Sequence, residues 1–196
     1  MGVAKATLPF GPEVMLARVV RLLAEVVDPI IVVAAPEQDV PALPDQARLI
    51  RDRREGRGPL EGIAAGLAAL EDSAERAYVT SCDVPLLAAG FIRRVIELGR
   101  DHEIAVPQVD GHFHPLAAVY HISVLEKVNR LLAADRLRPF FLFDECDTRK
   151  ITADELTDVD PQLDSLKNLN RPDDYLEALK SSGFEAPPEI LRKLPR

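Results

Sequence analysis

Short apolar runs alternate along this chain with longer stretches of helical period. That alternation predicts an α/β domain, Rossmann-like and three-layered, around a mostly parallel central sheet. From Glu13 to Val27 the residues Val14, Leu16, Ala17, Val19, Val20, Leu22 and Leu23 recur at helical spacing, with Arg18, Arg21 and Glu25 opposite. Asp28-Pro29 ends this helix, because proline disfavours a helical residue before it. Ile30–Val33 is an unbroken apolar run, as expected of a strand buried on both faces. Gly58–Glu71 reads as a loop entering a helix, with Pro59 suited to its first turn. Ala77–Cys82 is a second buried strand, followed by a helix over Ala88–Arg100. Short strands are expected at Glu103–Val106 and Pro115–Tyr120, and an amphipathic helix over Ser123–Ala134. Arg138–Asp144 fits a strand or a short helix equally well. Ser165–Asn168 is expected as a last strand and Pro172–Lys180 as a last helix. No repeat or linker divides the chain, so residues 1–185 read as one domain and 186–196 as a proline-bearing surface tail.

Composition narrows the class. With 196 residues, 47% of them hydrophobic, the chain buries a core without disulfides and is too apolar for disorder. The two cysteines, Cys82 and Cys146, make neither a disulfide framework nor a cysteine-based zinc site, and they suit a reducing cytosol. The longest apolar run, Pro29–Pro36, falls short of the roughly 20 residues of a membrane span. The start, MGVAKATLPF, lacks the basic-then-apolar order of a secretory signal, so a cytoplasmic protein is expected. A net charge of −8 argues against general nucleic-acid binding but leaves room for a local phosphate site.

Five constellations carry candidate chemistry. Asp83, in SCDVP, follows a buried strand, where open α/β sheets bind ligands. A lone carboxylate there suits magnesium shared with substrate phosphates, or equally the cap of the following turn. Arg48, Arg51, Arg53, Arg54 and Arg57 crowd ahead of Gly58, so a phosphate contact competes with a solvated charged face. Gly62 and Gly66, four apart, share one helix face where another backbone comes near. Lys5 is a compact point charge suited to a triphosphate, or a solvated terminal lysine. His112 and His114 point the same way on a strand, yet no third ligand is near, and a turn at Asp110-Gly111 is the stronger expectation. Asn168 and Asn170 put two amides on one side of the chain, for a ligand, a metal-bound water or loop chemistry leading to Pro172. G-x-S-x-G, G-x-x-x-x-G-K-[ST] and H-E-x-x-H are absent.

In order, MGVAKATLPFG, RDRREGRGPLEGIAAGL, SCDVPLL, HPLAAVY, LRPFFLFDE and NLNRPDDY resemble the molybdenum cofactor guanylyltransferases of the nucleotidyltransferase superfamily. The resemblance runs from Met1 to about Leu179. It implies transfer of GMP from GTP to a molybdopterin cofactor, with release of pyrophosphate and with Mg2+ as the metal. Molybdoenzymes or other cofactor-maturation proteins would be the protein partners. By the same resemblance, Gly2 and Lys5 meet the nucleotide phosphates, and Asp52, Gly58, Pro59 and Leu60 lie where base and ribose are read. Asp83 is the metal-binding and, with Lys5, catalytic residue; His114, Pro115, Asn168 and Asn170 face the acceptor. The family signature opens with a strand and a loop of the form L-x-G-G-x-S-x-R-M-G, of which Met1-Gly2 is the only part in this sequence. The first strand and most of the glycine-rich loop are therefore expected upstream, with turnover impaired without them. A molybdopterin cytidylyltransferase or another small nucleotidyltransferase is the alternative within the class. A non-catalytic pterin- or partner-binding protein is the alternative outside it.

Overall fold

The computed structural model describes residues 4–52 and 56–194. The chain starts with a 3-10 turn at Lys5–Thr7 and a small hairpin of β1 (Pro9–Phe10) and β2 (Glu13–Val14). The first apolar helical pattern becomes α1 (Met15–Ala24), whose buried stripe is Met15, Leu16, Val19, Val20 and Leu23. The β-branched run forms β3 (Ile30–Ala34), paired in parallel with β4 (Ala47–Arg51). Next come α2 (Pro59–Ala68), β5 (Arg76–Thr80), α3 (Ala89–Leu98), β6 (Ile104–Val109), β7 (His112–Phe113) and β8 (Ala117–His121). They are followed by α4 (Leu125–Ala133), α5 (Phe140–Glu145), β9 (Thr148–Ile151), α6 (Pro172–Ser181) and α7 (Pro188–Leu191).

Strand alternation sorts the core into two layers of side chains. Ile104, Val106, Ala118 and Tyr120 face α2, α4 and α5; Ala105, Ala117 and Val119 face α1 and α3. With both faces covered, β6 and β8 are buried over most of their lengths. A third cluster joins the two ends of the chain: Leu8, Phe10 and Met15 pack against Leu169, Tyr175, Leu179 and Ile190. The Tyr175 hydroxyl donates to the Pro9 carbonyl at 2.6 Å across the same contact.

Several expectations are corrected here. The Rossmann-like α/β expectation holds, with one refinement: β3–β4 and β6–β9 are parallel, whereas β8 runs antiparallel to both β5 and β6. The turn at Asp110-Gly111, where both residues have positive φ, folds β7 back on β6. The chain from Val109 to Ala117 is too short for the crossover a parallel β8 would need, which takes roughly a dozen residues. Ser165–Asn168 is not a strand; the Asp160 carboxylate accepts the N–H groups of Asp164 and Ser165 at 3.0 and 2.9 Å and winds a 3-10 turn there. Arg138–Asp144 resolves as helix α5, with Leu142 and Phe143 buried. The 186–196 segment is not wholly a surface tail, since Ile190 of α7 is buried in the third cluster. β4 and β9 were not anticipated: ARLIR and TRKI carry the charges typical of edge strands and hide the period-2 signal. No helix among the described residues is long and apolar enough to cross a membrane.

Besides the β1–β2 hairpin, the described residues form two hydrogen-bonded sheets, the β3–β4 pair and the five-stranded sheet in which β5 is an edge. Between the free edges of β3 and β5 lies a trough of about 610 Å3.

Gly99, at the end of α3, sits where an added Cβ would lie 2.8 Å from the Ala105 Cβ and 3.2 Å from the Val95 carbonyl oxygen. Gly99→Ala is expected to lower stability by about 1–3 kcal/mol through overpacking, read as a lower urea midpoint at unchanged slope. Gly66→Ala meets only the Val33 Cγ2 at 3.6 Å and is expected to be neutral or stabilising, by up to about 1 kcal/mol of helix propensity.

Candidate active site

Asp83 lies three residues beyond the end of β5 and is buried at 7% exposure. A carboxylate so placed needs compensation, and three segments supply it. The Lys5 Nζ donates to Oδ2 at 2.7 Å, and the Ser81 hydroxyl and the Asn168 Nδ2 donate to Oδ1 at 2.6 and 2.7 Å. The Asn168 amide also reaches the Ser81 Oγ at 2.9 Å. Lys5 donates a second bond, at 2.5 Å, to the Asn170 Oδ1. Burial pushes the Asp83 carboxyl up, but the Lys5, Ser81 and Asn168 hydrogen bonds and the Lys5 charge outweigh it and hold it below the usual carboxylate range.

Local structure explains the convergence. Ala6 and Leu8, both buried, pin the turn that presents Lys5. The Leu169 N–H donates to the Asp83 carbonyl at 2.9 Å while its side chain enters the third cluster, so Asn168 and Asn170 flank an anchored residue. Asp174 accepts the Asn170 and Arg171 N–H groups at 3.1 and 2.8 Å, fixing the loop to the first turn of α6. Lys5, Asp83, Asn168 and Asn170, read separately from the sequence, thus meet at one point. The cap alternative for Asp83 does not hold: side chains take its oxygens, and α3 is preceded by Ala88 at its N-cap, without a side-chain cap. Ser81 is a member that sequence reasoning missed; its signal was the i, i+2 spacing to Asp83 after β5, which is half-buried rather than buried as expected.

Asp52 follows β4 and lines one part of the trough, with Gly58 and Pro59 at the start of α2. Its buried Oδ1 has no hydrogen-bond partner among the described residues, and burial, aided by the nearby Glu61 charge, pushes its carboxyl up. Gly58 has φ +70°, a conformation that favours glycine and that turns the chain into α2. Gly62 and Gly66 face the side chains of Asp52 and Val33 rather than another backbone. Leu60 is fully buried in the α2 layer, so it supports this corner from the core rather than lining it. Gly2, Arg53 and Arg54 lie outside the described residues.

The other arginines of the basic segment are engaged by the protein itself. Arg48 donates to the Ala69 carbonyl at 2.9 Å and Arg51 to the Ala35 and Gln38 carbonyls at 2.8 and 2.6 Å. Arg57 pairs with Glu61 and Asp135. These three staple β4 and α2 to their neighbours instead of pointing at a phosphate.

The His114 N–H donates to the Pro107 carbonyl at 2.9 Å, and the Pro115 carbonyl accepts the Tyr120 hydroxyl at 2.8 Å. Burial and then the neighbouring His112 lower the His114 imidazole below its ordinary value. No hydrogen bond among the described residues joins His114 or Pro115 to the Lys5–Asp83 group, and no group of three His, Cys, Asp or Glu side chains assembles as a metal cage. A single carboxylate with the Asn170 amide oxygen and the Ser81 hydroxyl is nevertheless a set of hard oxygen donors, which suits magnesium held mainly by phosphate and water.

Residues 1–148 match the family described as the MobA-like NTP transferase domain. A protein of Mycobacterium avium named a probable molybdenum cofactor guanylyltransferase is 37% identical over 172 residues, covering 84% of this chain and 86% of its own. A Methanosarcina acetivorans protein of the same name is 32% identical over 185 residues, covering 88% and 80%. Among solved structures, molybdopterin-guanine dinucleotide biosynthesis protein A from Archaeoglobus fulgidus superposes with a TM-score of 0.73 at 19% identity, over 93% of this chain and 92% of its own. The 2-C-methyl-D-erythritol 4-phosphate cytidylyltransferase of Thermus thermophilus superposes with a TM-score of 0.69 at 16% identity, over 91% and 93%. The Rossmann-like nucleotidyltransferase fold is thereby shared with both, and the chain belongs to the family of MobA-like nucleotidyltransferases.

Proposed function

We propose that this nucleotidyltransferase moves GMP from GTP to the phosphate of a molybdopterin cofactor, with pyrophosphate as the second product. The observation that carries this reading is the meeting of Lys5, Asp83, Asn168 and Asn170 from three distant segments beyond the end of β5. An acceptor phosphate oxygen forms the new bond to the α-phosphorus as the bond to the β-phosphate oxygen breaks. Charge grows on phosphoryl oxygens, so positioning and electrostatic stabilisation carry the rate. Lys5 serves as the cation facing those oxygens, and its bonds to Asp83 and Asn170 fix where its charge lies. Asp83 and the Asn170 amide oxygen are the residues that would hold Mg2+, which when bound supplies further positive charge against the phosphates. Asn168 keeps the Asp83 carboxylate oriented. The Asp52 Oδ1, without a hydrogen-bond partner among the described residues, is an acceptor suited to a nucleotide hydroxyl or N–H beside α2. His114 and Pro115 are assigned to the acceptor side on the resemblance alone.

Lys5→Ala and Asp83→Asn are each expected to lower kcat by about 100-fold or more in a pyrophosphate-release assay with GTP and molybdopterin. In thermal shift, GTP is expected to raise the midpoint more than CTP; selective stabilisation by CTP would make the chain a cytidylyltransferase instead. Because the folded Asp83 pKa is depressed, its stabilisation is present above the unfolded carboxylate value of about 4 and lost as pH falls through the folded value. Asp83→Asn is therefore expected to cost about 1–2 kcal/mol at neutral pH and less in acid, read as urea midpoints across pH 2–7.

A further inference from the structure

We propose that Lys5 is the resident counter-ion of Asp83 and Asn170 and changes partners when substrate binds. A bare divalent cation then binds weakly at this point, and a metal–polyphosphate complex binds well. The inference rests on the proposed reading that Asp83 and the Asn170 amide oxygen hold the metal.

The Lys5 Nζ donates to the Asp83 Oδ2 at 2.7 Å and to the Asn170 Oδ1 at 2.5 Å, so one ammonium faces the two oxygens that a metal ion would need. The carboxylate has no alternative to offer. Its other oxygen, Oδ1, already accepts from the Ser81 hydroxyl at 2.6 Å and the Asn168 amide at 2.7 Å, which fills both of its lone pairs. A magnesium ion takes oxygen ligands at about 2.1 Å, closer than the ammonium stands, and would crowd and repel it before the same pair. Lys5 and a metal ion therefore exclude each other at these oxygens.

Charge balance sets the condition for the exchange. The Asp83 side chain is only 10% exposed, and Lys5 is the one cation paired with it among the described residues. The two charges cancel. A bare metal ion would leave the site net positive and would strip the ammonium of two acceptors. A polyphosphate removes both costs, since its oxygens bring negative charge and accept the displaced ammonium. The movement required is local. Buried Ala6 and Leu8 pin the turn, whereas the Lys5 side chain is 29% exposed and carries its charge on a flexible four-carbon stem.

The test counts free Mn2+ by electron paramagnetic resonance in solutions of the intact chain without nucleotide. Lys5→Gln keeps an amide donor for Asp83 but no charge. It is expected to bind Mn2+ at least about tenfold more tightly than the unaltered chain, because the competitor is gone. Adding Asp83→Asn to Lys5→Gln is expected to remove that gain. Inorganic tripolyphosphate is expected to strengthen Mn2+ binding more in the unaltered chain than in Lys5→Gln; an equal effect on both overturns the proposal. Equal affinity for Mn2+ alone, or a gain that survives Asp83→Asn, overturns the exchange and leaves the proposed reaction standing. Failure of the unaltered chain to bind Mn2+ even with GTP overturns the exchange and the metal assignment together. A second readout needs no variant. Acetylation of Lys5 by an amine-reactive ester, measured by mass spectrometry against the exposed Lys180, is expected to rise severalfold at saturating Mg2+. A ratio unchanged at Mg2+ concentrations that raise the thermal midpoint overturns the proposal.

Discussion

The burial of one negative charge organises this molecule. Asp83 sits almost out of solvent beyond the end of β5, where an unpaired carboxylate would be costly. Its compensation comes from both chain ends: Lys5 from the first turn and Asn168 from the loop before α6. Each of those donors must in turn be held, and the third core cluster holds both. Leu8 and Phe10 follow Lys5, Leu169 follows Asn168, and they pack together with Tyr175. The geometry of the candidate site and closure of the chain's ends are thus one structural event.

The same arrangement reconciles an acidic protein with an anionic substrate. The chain carries eight more negative than positive charges, yet Lys5 stands at the site with its position set by Asp83 and Asn170. The described arginines of the basic segment are spent on carbonyls and carboxylates around β4 and α2. Among the described residues, positive charge at the site therefore rests on Lys5, and Arg48, Arg51 and Arg57 act as structural staples.

The strand and helix nuclei were legible because their patterns are strong. β3 and the helices α1, α2, α3, α4 and α6 lie where apolar period and proline placement put them, to within a few residues. What escaped was written in weaker code. β4 and β9 are short and charged, so they form by pairing with a neighbour rather than by their own pattern. The 3-10 turn at Asp164–Leu166 depends on the Asp160 carboxylate, which no local propensity reveals. The sheet's mixed direction follows from the tight Asp110-Gly111 turn, whose presence was readable but whose consequence for β8 was not.

By itself the sequence determined residue chemistry: a carboxylate after a buried strand, a lysine near the start, two alternating asparagines, and apolar runs enough for a layered α/β core. Periodicity and residue type are local properties, and a sequence displays them directly. Only the tertiary structure decided that Lys5 reaches Asp83 across 78 positions and that Lys5 and Asn170, 165 positions apart, share a hydrogen bond. It alone showed that Ser81 belongs to the group and that the two sheets leave a trough between them. Such contacts are set by which faces must be buried together and by where a desolvated charge finds its partners. Both are properties of the packed chain.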